Sequence, residues 1–302
     1  MPDSQAKRLH EMRAFIEPFR VKPGRRIRLP RDYDPGYTAD FVKKKDAADL
    51  LERGVDYLAE YQARLAAQDT YGLLVVFQAM DAAGKDGTIK HVMSGVNPQG
   101  VEVSSFKVPS SEELDHDYLW RYARRLPGRG TIGIFNRSYY EEVLVVRVHP
   151  QILAGQKLPP SAKRRGVWAR RFREINDWEQ YLTDNGIRIV KLFLNVSRDE
   201  QRRRFLRRID DLERNWKFSE ADVRERQYWD DYQKAFSDVL SNTSTEHAPW
   251  YVIPADHKWF MRVAAAAVIL DELVRIDPKF PSVGDEARSE MLKARDELLG
   301  ED

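Results

Sequence analysis

Residues 71–78 are apolar on both faces, ending in Val-Val-Phe-Gln, which is the pattern of a parallel strand covered on two sides. Residues 187–196 carry the next strongest strand pattern, and shorter β-rich runs occupy 101–106, 130–135 and 249–253. Between them the apolar spacing changes to three and four. Phe41, Ala47, Leu50, Leu51, Val55, Leu58 and Tyr61 predict a helix over 39–68. Further helices are predicted at 88–94, 111–125 (Ser111 as cap), 138–145, 166–184 and 260–276, with a polar helix that could fray from 285. Ser197 followed by Glu200 reads as a capping box opening a helix over 197–214. Strands alternating with helices predict an α/β fold with a parallel sheet covered on both sides. Residues 1–38, rich in Pro, Gly and basic side chains toward their end, are expected to form an extended N-terminal arm ahead of one domain, 39–302.

Composition changes this picture little. The chain has 302 residues, 42% of them hydrophobic, enough for a sizeable core. The absence of cysteine excludes disulfides and thiolate metal sites. The polar start is unlike a secretory signal, and the longest apolar run, 263–270, is too short to span a bilayer. A cytoplasmic protein with no membrane partner is expected. Net charge is only +2, yet Lys and Arg cluster at 22–31, 43–45, 163–173 and 202–208. Local clusters on a near-neutral chain suggest a confined anionic ligand rather than a nucleic acid. Each cluster alone is equally a solvated helix face.

The main chemical signal is the segment 79–88, Ala-Met-Asp-Ala-Ala-Gly-Lys-Asp-Gly-Thr, between a buried strand and a helix. That is the context of a phosphate loop. Gly84 and Gly87 allow close backbone approach to an anion, the helix N-terminus favours negative charge, and Lys85 supplies a point charge. Asp86 and Thr88 complete the candidate phosphate-binding segment. Ala79 replaces the usual first glycine and Asp86 the usual Ser/Thr. Asp81 would repel phosphates unless a divalent metal lay between them.

At the end of the third strand, Asn136 occupies the place of a metal-binding Asp, and Arg137 beside it can hold phosphate oxygens bidentately. Arg204, Arg207, Arg208 and Arg214 recur at helical spacing, as in the mobile lid of nucleotide kinases. A salt-bridged surface helix would show the same stripe. The six histidines have no metal-ligand spacing.

Together these pieces resemble the second family of polyphosphate kinases over roughly residues 41–273. They are 81–85 with Gly87, 136–140, Glu200, Gln201, Arg204, Phe205, Arg208, Asp211, Arg214, Trp216, Lys217 and Ser219, then 248–250, Ala255, Asp256 and Lys258. The resemblance implies a thymidylate-kinase-like P-loop three-layer sandwich with a helical lid at about 200–226. It implies phosphoryl transfer between inorganic polyphosphate and AMP, ADP or ATP, with Mg2+ or Mn2+, in a homo-oligomer. Carried onto this chain, Asp81 holds the metal, helped by Asn136. Lys85, Arg137, Arg204 and Arg208 act on the transferring group, and Gly84, Lys85, Asp86, Gly87, Thr88 and Lys217 bind phosphates. Many members have Asp at the place of Asn136, Asn at Glu141 and Pro at Leu212. The run 136–142 resembles the third class, which is associated with both AMP and ADP, so Asn136 and Glu141 are candidate determinants of nucleotide choice. A separate candidate, 163–173, could be part of a basic track for the polyanion. An ATP-dependent nucleoside monophosphate kinase and a non-catalytic polyphosphate- or RNA-binding protein remain the alternatives.

Overall fold

A computed structural model describes residues 2–39, 43–213 and 215–301, with side chains throughout except at 2–6 and 217. In chain order the elements are α1 (Pro2–Ile16), α2 (Ala47–Gln68), β1 (Gly72–Ala79), α3 (Lys85–Val92), β2 (Val101–Ser105), α4 (Ser111–Leu114), α5 (Trp120–Ala123) and β3 (Ile132–Asn136). Then come α6 (Val145–Val148), α7 (Pro150–Gly155), α8 (Val167–Asp184), β4 (Ile187–Asn195), α9 (Arg198–Asp210), α10 (Glu220–Glu225), α11 (Trp229–Thr243), β5 (Trp250–Pro254), α12 (Lys258–Ile276) and α13 (Asp285–Leu299).

The five strands form one parallel sheet in the order β2-β3-β1-β4-β5, so β1 lies at its centre. Alternate residues feed two cores. Leu73, Val75 and Phe77 of β1 pack toward α2 and α12 with Val190, Leu192 and Leu194 of β4. Leu74 and Val76 face the other way with Phe135, Ile189 and Phe193, against α8 and α11. This is the predicted three-layer α/β sandwich. A sheet buried on both faces requires strands without a polar side, which is why residues 71–78 were legible.

Several local expectations need correction. The N-terminal segment is not extended throughout, because α1 is helical from Pro2 to Ile16. Leu9, Met12, Phe15 and Ile16 recur at helical spacing, and Phe15 meets Phe260 edge-on at 5.7 Å. Past the helix, Arg20 bridges antiparallel to Tyr251 and partly covers the β5 edge. Residues 111–125 form two short helices instead of one; the first is capped by Ser110, in a reciprocal capping box with Glu113, and the second has no side-chain cap. At α9 the box is half formed: Ser197 Oγ accepts from Glu200 N–H, while the Glu200 carboxylate turns to Arg203 and Arg204. Residues 139–143 are a 3-10 turn. Phe41 lies outside the described residues.

Candidate active site

The site forms where β1, β3 and β4 end, as in other open parallel sheets. After Ala79 the chain bends through Ala82 (φ 60°) and Gly84 (φ 107°) into α3. At Gly84 a side chain would adopt a strained backbone region and sit 3.2 Å from Met261 Cε. At Gly87 an added Cβ would meet nothing within 4 Å. The protein leaves that side of the helix N-terminus open, and it faces a cleft of about 1180 Å³. The first-turn amides of α3 have no acceptor within the helix and are available to an anion. Lys85 is buried, with its Nζ 3.3 Å from the Ala79 carbonyl oxygen. Burial, then the nearby Arg137 cation, lowers its pKa. The negative charge of an arriving phosphate would favour the ammonium and oppose both effects.

Arg137 joins two carboxylates: its Nη2 is 2.6 Å from Asp81 Oδ1 and its Nη1 is 3.2 Å from Glu141 Oε2. Burial opposes its charge, but Glu141 and Asp81 outweigh that and hold it protonated. Glu141 also accepts from Gln78 Nε2 at 2.8 Å. Asn136 Nδ2 donates to Asp86 Oδ1 at 2.7 Å, which leaves the side-chain Oδ1 of Asn136 for another partner. Among the described residues no group of three or more His, Cys, Asp or Glu could enclose a metal. Asp86 and Asn136, which are in contact, and Asp81 on the neighbouring loop still offer oxygen donors of the kind a hard divalent cation such as magnesium takes. That ion commonly takes one or two carboxylates from the protein and completes its shell with substrate phosphates and water.

Two expected phosphate ligands are otherwise employed. Thr88 is buried and its hydroxyl donates to the Gly84 carbonyl oxygen at 3.0 Å, so it closes the loop rather than facing the cleft. Arg204 is 6% exposed and every N–H of its guanidinium is engaged. Its Nε donates to Glu200 at 2.8 Å, its Nη1 to the Ala82 and Ala83 oxygens at 3.2 and 2.6 Å, and its Nη2 to the oxygens of Ala255 and Asp256. It braces the phosphate loop against α9 and β5. Removing it would leave the carbonyl oxygens of Ala83 and Ala255 without this donor, while Glu200 would keep Arg203. Arg204→Met is therefore expected to lower unfolding stability by about 1–3 kcal/mol, the scale of leaving a buried acceptor unsatisfied. Chemical denaturation checks this. An unchanged midpoint with lost turnover would instead make Arg204 a phosphate contact.

Arg208 lines the cleft 3.6 Å from Asp222. The Lys217 side chain and Arg214 lie outside the described residues. The proposed track at 163–173 is corrected. None of its residues lines the cleft, Arg171 is buried against Glu142 at 3.0 Å, and Arg170 leans on Glu174. Those two charges serve the packing of the helix, while Arg164, Arg165 and Arg173 are exposed away from the cleft lining. Lys107, Arg207, Lys258 and Arg262 do line the cleft. Lys107 and Arg262 were missed. For Arg262 the available signal was a cation four residues after Lys258, one turn along α12 and just before its apolar run 263–270.

A phosphate loop on the central strand, with cations converging on it from β3, α9 and α12, defines a P-loop phosphotransferase. The family model for Polyphosphate kinase 2 matches residues 41–281, and the chain belongs to that family. It is 49% identical over 292 residues to an ADP-polyphosphate phosphotransferase of Rhodopseudomonas palustris, covering 95% of this chain and all of that one. It is 43% identical over 270 residues to an AMP/ADP-polyphosphate phosphotransferase of Meiothermus ruber, covering 88% and 96%. The crystal structure of polyphosphate kinase 2 from Arthrobacter aurescens superposes with a TM-score of 0.82 at 39% identity, covering 92% of this chain and 96% of that one. No described helix is long and apolar enough to cross a membrane.

Proposed function

We propose that this chain transfers phosphoryl groups between inorganic polyphosphate and AMP or ADP. The observation that carries this reading is the buried Lys85 beside open α3 amides, in a cleft lined onward by Lys107, Arg207, Lys258 and Arg262. A cleft lined by these cations together with Arg137 and Arg208 suits a ligand of many phosphates. The α3 amides and Lys85 would hold terminal phosphates of the polymer. Arg137 and Arg208 would hold phosphates of the nucleotide and of the group in transfer. The nucleotide's terminal phosphate oxygen attacks phosphorus in line as the bridging oxygen of the polymer leaves. That oxygen is already ionised near neutral pH, so positioning and charge neutralisation carry the catalysis. Magnesium or manganese, held by Asp81 with Asn136 and Asp86, would supply further neutralisation of phosphate charge.

The test is AMP or ADP with magnesium and polyphosphate as sole donor. ATP formation from ADP is the expected result, and turnover that requires ATP as donor would favour a nucleoside monophosphate kinase. Added salt should reduce turnover more with long than with short polyphosphate, because several cations contact the polyanion. Lys258→Ala with Arg262→Ala should flatten that chain-length difference. An unaltered difference would remove those two residues from the track. Assembly of several copies is also proposed, from the family resemblance alone, and sedimentation velocity would test it.

A further inference from the structure

The turn that carries Arg137 and Glu141 into the site is tied to the sheet only at its start, where Arg137 N–H donates to the Phe77 carbonyl oxygen of β1 at 3.0 Å and Ser138 Oγ donates to Gln78 Oε1 at 3.3 Å. Beyond Asn136 the sheet ends, Arg137 adopts a left-handed φ of 66°, and a 3-10 turn follows. A non-glycine residue in that region persists only where its surroundings fix it. Further fixing groups lie beneath the turn. Tyr139 and Tyr140 are both wholly buried, and both hydroxyls donate to Glu179 Oε1 of α8, at 2.6 and 2.9 Å. Glu179 Oε2 is paired with Lys191 Nζ of β4 at 2.6 Å, and both side chains have no exposure. Lys191 donates further to the Tyr140 hydroxyl at 2.9 Å and the Thr243 carbonyl oxygen at 2.7 Å, so each of its hydrogens has an acceptor. Trp250 closes the cluster, edge-on to Tyr140 at 4.8 Å.

A buried ion pair is weak ground for stability, since apolar residues of similar volume often serve as well. A core that keeps one directly beneath a catalytic turn uses its directional bonds. Burial and the Glu179 charge raise the pKa of both tyrosines well above the usual value, so their hydroxyls remain donors.

We propose that Glu179, through the hydroxyls of Tyr139 and Tyr140, is a positioning residue that sets Arg137 and Glu141 against Asp81 for phosphoryl transfer. Lys191 is its counter-charge and allows the carboxylate to remain buried. The proposal rests on Arg137 touching the phosphates, as argued above.

The experiment measures kcat and polyphosphate KM for ADP phosphorylation, with the melting temperature as control for folding. Tyr139→Phe keeps the ring and removes one bond. It is expected to lower kcat about tenfold or more, by misplacing Arg137, with KM changed less than about twofold. Glu179→Leu with Lys191→Met leaves no orphan charge but no acceptor, and should show the same loss. Glu179→Gln with Lys191→Met restores the acceptor and should recover most of the rate. In an Arg137→Lys background, Tyr139→Phe should cost less than about twofold more, since the group it positions has already been replaced. Equal proportional losses in both backgrounds, or a folded Tyr139→Phe with wild-type kcat, overturn the proposal. If Arg137→Lys alone leaves kcat intact, the reading of Arg137 fails first and the positioning role with it.

Discussion

Replacing Lys85 with Met is expected to lower kcat for polyphosphate-dependent ADP phosphorylation by about a thousandfold, the scale of losing one preorganised charge at the reacting group. The methionine stem fills the space of the lysine stem, so the phosphate loop should keep its course. Stability should hold or rise, because a buried ammonium near Arg137 is replaced by an apolar group of similar volume. Single-turnover rates and thermal melts on the same preparation check both halves. A variant that melts normally and turns over at the wild-type rate would take the loop out of the mechanism.

Glu141→Asn is expected to separate the two acceptors. Glu141 is bonded to Arg137 and Gln78, so a purely structural role has direct geometric support. Arg137 has a second anchor, however, in Asp81 at 2.6 Å. If Glu141 only steadied Arg137, that anchor would keep much of the function, and any loss would fall equally on AMP and ADP. AMP is one phosphate shorter than ADP and leaves a gap at the reacting end. A carboxylate at its edge can hold a metal-bound water there and draw the short acceptor into line. The AMP rate should fall about a hundredfold, within the range for misplaced reactants, while the ADP rate stays within about fivefold. Initial rates with each nucleotide at saturating polyphosphate decide this, and equal losses would reduce Glu141 to a support for Arg137.

The sheet was legible because β1 and β4 are buried on both sides, and such strands differ sharply in pattern from amphipathic helices. Residues 79–88 were legible because a phosphate loop needs glycine and lysine at short range, within one strand-turn-helix unit. The N-terminal segment was misread past its proline and glycine content. Its helix depends on an apolar edge, Met12 to Ile16, whose partner Phe260 lies far along the chain.

The chain's order of residues by itself determined the α/β class, the phosphate loop and the short list of charged side chains around it, because each is a local pattern of spacing and residue type. Which of those charges face the substrate was decided only by the tertiary structure. Arg204 and Arg208 lie one turn apart on α9 and both border the cleft, yet the guanidinium of Arg204 is spent on Glu200 and on carbonyls of the loop and of the segment after β5, while Arg208 reaches toward Asp222 across the cleft. Arg171, in a run that read as a polyanion track, is buried on Glu142. Lys191 and Glu179, on β4 and α8, meet Tyr139 and Tyr140 only once the sheet and its covering helix have packed. A buried charge must find its partners wherever the fold brings them, and separation along the chain says nothing of that.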